Sequence, residues 1–236
     1  MDIAKRDPDA EARARAQARI DLLTPVVKAW LSDSGCEVAS LGIQVHGGMG
    51  YIEETGAAQY YRDVRIACIY EGTNGIQALD LLTRKLLRDE GAAVGALLAE
   101  MAATLGELKA DGIADGISGA LAASVESLAK TTDWLLETGA ADLERAAAGA
   151  TPYLRLFGTV AGGWLLARGA LAATRRLSAG GAAEDRGGEA EDRPFLEAKV
   201  ATARFYMDNV LPRASAEAAA VTRGAASTLA LDAAQF

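Results

Sequence analysis

One carboxylate in this chain has neighbours that suit it to acid–base chemistry. Glu71 lies between the apolar run Ile66–Tyr70 and a Gly-Thr-Asn-Gly turn at residues 72–75. A carboxylate among apolar side chains is a stronger base than one in water, because burial disfavours its charged form. Gly72 carries no Cβ, so another molecule can approach its backbone closely. The pattern predicts a general base in a water-poor crevice.

Thr73 adds a hydroxyl and a backbone N–H at the start of the next predicted helix, where a carbonyl oxygen or an anion is favoured. A second interpretation needs no ligand: Glu71 is then an acid at a helix start and Thr73 the N-cap, which is a very common arrangement. Residue types and spacing leave both interpretations open.

A second candidate is the segment QVHGGMGY, Gln44–Tyr51. Its glycines allow backbone amides to face a phosphate or a ring edge. The alternative is a helix C-cap followed by a loop. His46 is the only histidine of the chain, and we interpret it as a packing residue rather than a proton-transfer group.

Composition excludes some classes of function. The net charge of −8 argues against a nucleic-acid partner, which needs clustered basic residues. One histidine and two cysteines, Cys36 and Cys68, without CxxC spacing supply no metal site, and we expect both thiols to be buried and reduced. The N-terminus has no apolar signal segment, and a cytoplasmic protein is expected.

The elements that must position these residues are predicted to be helices throughout, because Ala and Leu dominate the apolar residues. A helix is expected from Asp9 to Ser32, with a kink or break at Pro25. Ser34, with Glu37 in capping-box spacing, predicts a new helix that ends at Gly47 and Gly48.

Two further helices are predicted around the candidate base. One covers residues 57–64, and the other runs from Asn74 to Arg88 with one apolar face. That face contains Ile76, Leu79, Leu82 and Leu86.

After residue 90 the chain becomes richer in Ala, and helices are predicted at residues 92–110, 117–138 and 140–177. The segment 156–173 is the most membrane-like, but it contains Arg168 and four glycines, so a buried helix is favoured over a membrane span. An exposed, poorly ordered loop is predicted at residues 178–194. Pro194 then suits the first turn of a helix that Pro212 stops. The fold class is all-α: an up-and-down helical bundle at 1–90 followed by a second helical domain at 91–236.

Three segments in this order, QVHGGMGY, YRDVRI and IYEGTNGIQALDL, resemble the C-terminal helical domain of acyl-CoA dehydrogenases over residues 12–87. The part after residue 90 resembles the extra C-terminal helical domain of larger bacterial members, such as the 3-methylmercaptopropionyl-CoA dehydrogenase group. The resemblance implies an FAD-dependent enzyme that desaturates an acyl-CoA thioester between Cα and Cβ. It also implies an electron-transfer flavoprotein as electron acceptor.

The resemblance assigns roles to particular residues. It implies that Glu71 removes the α-proton of the substrate while a hydride leaves Cβ for flavin N5, and that Gly72 lies against the substrate. Many relatives have Ala-Gln where this chain has Asn74 and Gly75, so a contact at Gly75 would use the backbone. Flavin contacts are implied for Thr73, Asn74 and Gly75, and contacts to the FAD of a neighbouring subunit for Gln44, Val45, His46, Gly47 and Gly48.

The subunit contact implies a homo-oligomer, either a dimer or a tetramer. Family members carry an N-terminal helical domain and a middle β-domain, and no segment here corresponds to them. We therefore expect a fragment, a truncated gene product or one piece of a split enzyme that binds FAD weakly by itself unless the missing domains act in trans. The alternative is a catalytically silent helical module for assembly or interaction that keeps the motif by descent.

Overall fold

The computed structural model describes residues 1–112, 114–180 and 189–235, and within these ranges every regular element is a helix. The all-α prediction is confirmed. Short 3-10 turns occur at Glu53–Thr55, Ile66–Cys68 and Ala233–Gln235, and π-helical stretches at Leu81–Leu87 and Ala114–Ser118. The α-helices are α1 Asp2–Arg6, α2 Ala10–Val45, α3 Gly48–Tyr51, α4 Ala57–Arg65, α5 Asn74–Asp80, α6 Ala92–Ala110, α7 Gly119–Ala141, α8 Leu143–Ala148, α9 Ala150–Gly180, α10 Glu189–Asn209, α11 Arg213–Arg223 and α12 Ala225–Thr228.

The long helix α2 ends within the candidate site segment that begins at Gln44. The Asp9 carboxylate caps it by accepting a hydrogen bond from the Glu11 amide at 2.9 Å. Pro25 lies buried inside a helix of 36 residues that continues past it. The predicted N-cap at Ser34 is therefore wrong. Of the kink or break predicted at Pro25, the break is not formed, because packing of the buried face keeps this helix continuous despite one missing backbone bond. The predicted end is confirmed, since Gly47 has φ 62° just after the last turn.

The elements around the candidate base largely follow the prediction, and the difference concerns which side chains of the second helix are buried. Helix α4 matches the predicted short helix closely. The α5 helix begins at Asn74 as predicted, but from Leu81 it winds as a π-helix. Of the predicted apolar face, Ile76 and Leu79 are exposed, whereas Leu82 and Leu86 are buried. The buried face consists of Ala78, Leu81, Leu82 and Leu86.

A sharp turn separates the two halves of the chain at the predicted boundary. Glu90 and Gly91 both have positive φ, at 54° and 80°, and the helices on either side are bent by 91°. The Asp89 carboxylate accepts hydrogen bonds from the amides of Gly91 and Ala93, at 3.1 and 3.0 Å, and so caps α6. Buried side chains from both halves join one core, and the division into two domains stays a prediction.

The second half contains the predicted helices with adjusted limits. The helix predicted at 140–177 is split into α8 and α9 near Gly149. At its other end α8 is capped by Asp142, whose carboxylate accepts a hydrogen bond from the Arg145 amide. The helix predicted to begin near Pro194 begins earlier, at Glu189, and α9 runs on to Gly180. The centre of the predicted loop, residues 181–188, lies outside the described residues.

Helix α9 is the centre of the molecule. Its length and apolar composition would allow it to cross a membrane, but 61% of its apolar window is buried inside the fold, as expected for a core helix. Its glycines allow close packing: a Cβ at Gly158 would lie 2.3 Å from Trp30 of α2, and one at Gly162 would lie 2.9 Å from the Tyr206 hydroxyl. Helix α2 of the N-terminal half therefore packs directly against α9.

Candidate active site

The backbone at the candidate base has an unusual conformation. Glu71 and Gly72 both lie in the left-handed region, with φ 54° and 84°. That region is uncommon for a residue with a side chain, and such residues cluster at functional sites. The Glu71 carbonyl accepts a hydrogen bond from Gln77 Nε2 at 3.0 Å, and the Gly72 carbonyl accepts one from Lys28 Nζ at 2.8 Å. Side chains of α5 and α2 thus fix the turn that carries the carboxylate.

Asn74 links this turn to α2. Its Oδ1 accepts a hydrogen bond from Lys28 Nζ at 2.8 Å. Its Nδ2 lies 2.9 Å from Ser32 Oγ, 2.7 Å from Asp33 Oδ1 and 3.2 Å from the Ala29 carbonyl. Every polar atom of this side chain is engaged within the chain, so it has no free group to offer a ligand.

Thr73 occupies the N-cap position of α5, but its hydroxyl makes no capping hydrogen bond. The position predicted by the ligand-free interpretation is therefore confirmed, whereas the capping interaction is not formed. Within the described residues the Thr73 hydroxyl makes no hydrogen bond, and a Cβ at Gly75 would meet no heavy atom closer than 4.0 Å. Both residues leave room for another molecule.

The Glu71 carboxylate is exposed and makes no hydrogen bond or ion pair within the described part of the chain. The expected water-poor crevice is thus not enclosed by these residues. Ile66, Ile69, Tyr70 and Ile76, which precede or follow Glu71 closely in sequence, are apolar and exposed.

A cleft of about 480 Å³ opens between α2, α4, α5 and α9 beside the turn. The predicted cofactor residues Thr73, Asn74 and Gly75 form one side of it. The remaining lining residues are Ala29, Asp33, Cys36, Tyr61, Arg65, Cys68, Ile69, Ala78, Thr151, Leu154 and Arg155.

The second predicted segment lies at the C-terminal end of α2. His46 Nδ1 is 2.9 Å from the Gly42 carbonyl, consistent with a packing role. Val45 is 85% exposed. A Cβ at Gly47 or Gly48 would meet nothing within 4 Å, so this backbone is open to an approaching molecule.

The structure does not bring the two predicted segments together within one chain. A groove of about 860 Å³ lies beside the second segment and is lined by residues that include Ile43, Tyr51 and Arg62. Tyr61 and Arg65 of α4 line both this groove and the cleft at Thr73. Helix α4 therefore lies between the groove at Ile43 and Tyr51 and the cleft at Thr73.

Arg62 is already paired inside the chain. Its guanidinium forms an ion pair with the Glu53 carboxylate, which ties α4 to the preceding 3-10 turn. The hydrogen bond from Arg62 lowers the pKa of Glu53, and the charge of Arg62 acts in the same direction. Arg62 therefore has a structural partner within the chain.

Sequence reasoning missed Lys28, which reaches the Gly72 carbonyl from a residue 44 positions earlier. A lysine inside the apolar segment Leu22–Leu31 was the available signal, since a charge there needs a partner. It also missed the approach of Cys36 to Cys68, for which the spacing gives no indication.

Two family models match successive parts of the chain. The model described as acyl-CoA dehydrogenase, C-terminal domain, matches residues 9–86, and the model described as acetyl-CoA dehydrogenase C-terminal like matches residues 92–232. The chain belongs to the acyl-CoA dehydrogenase family.

Individual relatives agree with this assignment. The chain is 47% identical, over 94% of its length, to the 3-methylmercaptopropionyl-CoA dehydrogenase of Ruegeria pomeroyi, of which it covers 36%. It is 32% identical, over 81% of its length, to the broad-specificity linear acyl-CoA dehydrogenase FadE5 of Mycobacterium tuberculosis, of which it covers 31%. A butyryl-CoA dehydrogenase of Syntrophomonas wolfei is 32% identical over 80% of the chain. The chain spans about a third of the length of these relatives.

The family implies FAD, and the residues present fit it in part. The open backbone at Gly47, Gly48 and Gly75 and the free Thr73 hydroxyl suit contacts with a cofactor. The Asn74 side chain does not suit one, because α2 occupies it. A contact at Asn74 would therefore use its backbone.

Proposed function

We propose that this chain forms the base-bearing C-terminal part of an FAD-dependent acyl-CoA dehydrogenase, which desaturates an acyl-CoA thioester between Cα and Cβ. The observation that carries the proposal is the left-handed turn at Glu71 and Gly72, whose two carbonyls are held by Gln77 and Lys28. A carboxylate on a fixed backbone, in a segment of exposed apolar residues, suits removal of a weakly acidic proton once further domains or chains exclude water.

In this proposal Glu71 accepts the α-proton of the thioester. Gly72 lies against the substrate, and its left-handed φ together with a Cβ only 3.2 Å from Gln77 Nε2 makes glycine the suitable residue there. Lys28 and Gln77 position the turn. When bound, FAD supplies the acceptor for the β-hydride at flavin N5.

Thr73, the backbone of Asn74 and Gly75 would hold FAD in this chain's own site. The segment Gln44–Gly48 would reach the FAD of a neighbouring subunit, which the position of α4 between the groove and the cleft supports. We further propose an electron-transfer flavoprotein as electron acceptor and a cytoplasmic location.

Exposed apolar residues on α2 support the proposed homo-oligomer. They recur at spacings of three, four and seven residues, so they share one face of the helix, opposite the buried face that contains Leu22 and Ala29. We call this set the α2 row, and it consists of Val27, Leu31, Val38, Leu41 and Val45.

Substitution of Glu71 by Gln tests the proposed base. The chain is combined with the N-terminal part of the Ruegeria relative that it does not cover, and bleaching of the flavin absorbance by an acyl-CoA is followed. Because Gln cannot accept the proton, Glu71→Gln is expected to slow bleaching about 10²–10⁴-fold. The chain alone is expected to purify colourless and to reduce no dye.

Glu90→Gln is the matched control, since Glu90 is also exposed and also has φ 54°. This variant is expected to bleach at the rate of the parent chain. Bleaching at the parent rate by a folded, flavin-loaded Glu71→Gln variant would contradict the proposal and favour the silent assembly module.

A further inference from the structure

The two cysteines, distant in sequence, meet at the wall of the cleft. Cys36 Sγ on α2 lies 3.5 Å from Cys68 Sγ, at the end of the Ile66–Cys68 turn. Both thiols are free and half-buried. A disulfide has a sulfur–sulfur distance of about 2.05 Å. Conversion of the dithiol to a disulfide therefore requires side-chain rotation and a small approach of the two elements.

Close helix packing holds the thiols opposite each other. Gly35 precedes Cys36, and a Cβ there would lie 2.9 Å from Val64 Cγ2 on α4. Because Val has few alternative rotamers, this contact sets the distance between α2 and α4. The 3-10 turn that ends at Cys68 follows α4 directly.

The pair is open to a small reagent. Cys36 and Cys68 both line the cleft of about 480 Å³, together with Asp33, Tyr61 and Arg65. Within the described residues no cluster of three or more metal-binding side chains occurs. Two adjacent thiols without further ligands suit reversible oxidation better than metal binding.

We propose that Cys36 and Cys68 form a redox-active dithiol that low-molecular-weight disulfides, such as oxidised glutathione, convert to an intramolecular disulfide. One cysteine thiolate attacks the reagent, expels one glutathione thiolate and forms a mixed disulfide. The second cysteine thiolate then attacks the protein sulfur and expels the second glutathione. The protein loses two electrons and two protons, and two molecules of glutathione are formed.

Proximity favours this closure over a stable mixed disulfide, because the second thiol is already in contact with the first. The local groups slow the first attack. Burial raises the pKa of the Cys36 thiol, as do its hydrogen bond with Cys68 and the negative charge of Asp33, while Arg65 acts in the opposite direction. Attack by Cys36 is thus expected to be slower than attack by a thiol with an ordinary pKa.

The bridge would join α2 to the turn that leads into Tyr70 and Glu71. In the reduced state the Ile66–Cys68 turn is held to α2 only by noncovalent contacts. The covalent link would restrain this segment and slow its local opening. This restraint does not depend on the proposed dehydrogenase activity.

The experiment equilibrates the native full chain with mixtures of reduced and oxidised glutathione, quenches it with acid, and measures intact mass and peptide maps. The expected product has lost two hydrogens and contains the Cys36–Cys68 cross-link. Under the same conditions Cys36→Ser and Cys68→Ser are expected to yield only glutathione adducts. Recovery of unmodified dithiol, or of adducts on both cysteines, would overturn the proposal.

Hydrogen exchange gives a second measurement on the same samples. Amides of residues 66–72 are expected to exchange at least about tenfold more slowly in the oxidised chain than in the reduced chain, with no such difference in the Cys36→Ser variant. Equal exchange in both redox states would refute the restraint. Neither measurement uses FAD or substrate, so failure here is distinct from failure of the dehydrogenase proposal.

Discussion

Asn74 connects the candidate base to the rest of the fold. Its amide group donates to acceptors on α2, and its carbonyl oxygen accepts from Lys28, which also holds the Gly72 carbonyl. The side chain that the family resemblance assigned to a flavin contact is thus part of the support of the turn. The free Thr73 hydroxyl beside it is the better candidate for a ligand contact.

Asn74→Ala removes these bonds and leaves polar groups of α2 without partners. We expect the variant to lose about 1–3 kcal/mol of unfolding free energy, because unpaired, half-buried groups are destabilising. Urea denaturation followed by circular dichroism measures the change.

Thr73→Ala is the control, because its hydroxyl makes no capping hydrogen bond. Its unfolding free energy is expected to stay within about 0.5 kcal/mol of the parent value. Equal losses in the two variants would contradict the role assigned to Asn74.

At the scale of elements, the contact between α2 and α9 packs the N-terminal half against the core. Trp30 fills the space that the missing side chain of Gly158 leaves, and its Nε1 lies 3.4 Å from Thr159 Oγ1. A bulky aromatic side chain opposite a glycine fixes how the two helices cross, and α2 in turn carries Lys28 toward the Glu71 turn.

Gly158→Ala and Gly169→Ala, both on α9, are expected to have opposite effects. A Cβ at Gly158 would lie 2.3 Å from Trp30 Cδ1, so the first variant should lose about 1–3 kcal/mol of unfolding free energy through overpacking. A Cβ at the exposed Gly169 would meet nothing within 4 Å, so the second should gain about 0.5–1 kcal/mol from higher helix propensity. Thermal and urea unfolding measure both, and changes of the same sign would contradict the packing argument.

The elements themselves were largely predictable from sequence, because helix propensity, caps and glycines act locally. The end of α2 at Gly47, the start of α5 at Asn74 and the helix at 92–110 were all recognised in this way. The errors arose where packing decides. Ser34 has the residue type of a cap, yet the helix continues through it, and the π-helical winding from Leu81 belongs to a buried face that leaves Ile76 and Leu79 exposed.

For the candidate site, the sequence indicates only residues that are contiguous in the chain. Glu71, Gly72 and Thr73 form one sequence motif, so residue types and family resemblance located them. Lys28 and the Cys36–Cys68 contact depend on the crossing of α2 with elements more than thirty residues away. A lysine in an apolar segment indicates that it needs a partner but not which residue that partner is, and the spacing of the two cysteines gives no indication of their contact.

At the scale of the whole molecule, exposed apolar side chains concentrate between residues 27 and 79. An extended apolar surface of this kind marks a contact with another chain or domain. The α2 row is its most regular part, and we expect it to contribute to self-association of the chain.

Replacing two leucines of the α2 row by lysine tests this expectation. Leu31 and Leu41 are 53% and 57% exposed, and the control positions Leu143 and Leu165, outside the row, are 53% and 56% exposed. Sedimentation velocity is expected to show an oligomer for the parent and the control, and a shift toward monomer for Leu31→Lys with Leu41→Lys. A monomeric parent, or equal shifts in both double variants, would contradict the assignment.

The fit of Trp30 against Gly158 has a consequence for how such chains diverge. The tryptophan comes from the half that carries the base motif, and the glycine from the half beyond residue 90. Gene recombination that exchanged one half between relatives would have to preserve both partners of this contact. The two halves should therefore be inherited together as one unit. The tryptophan and the glycine should then covary among homologous chains.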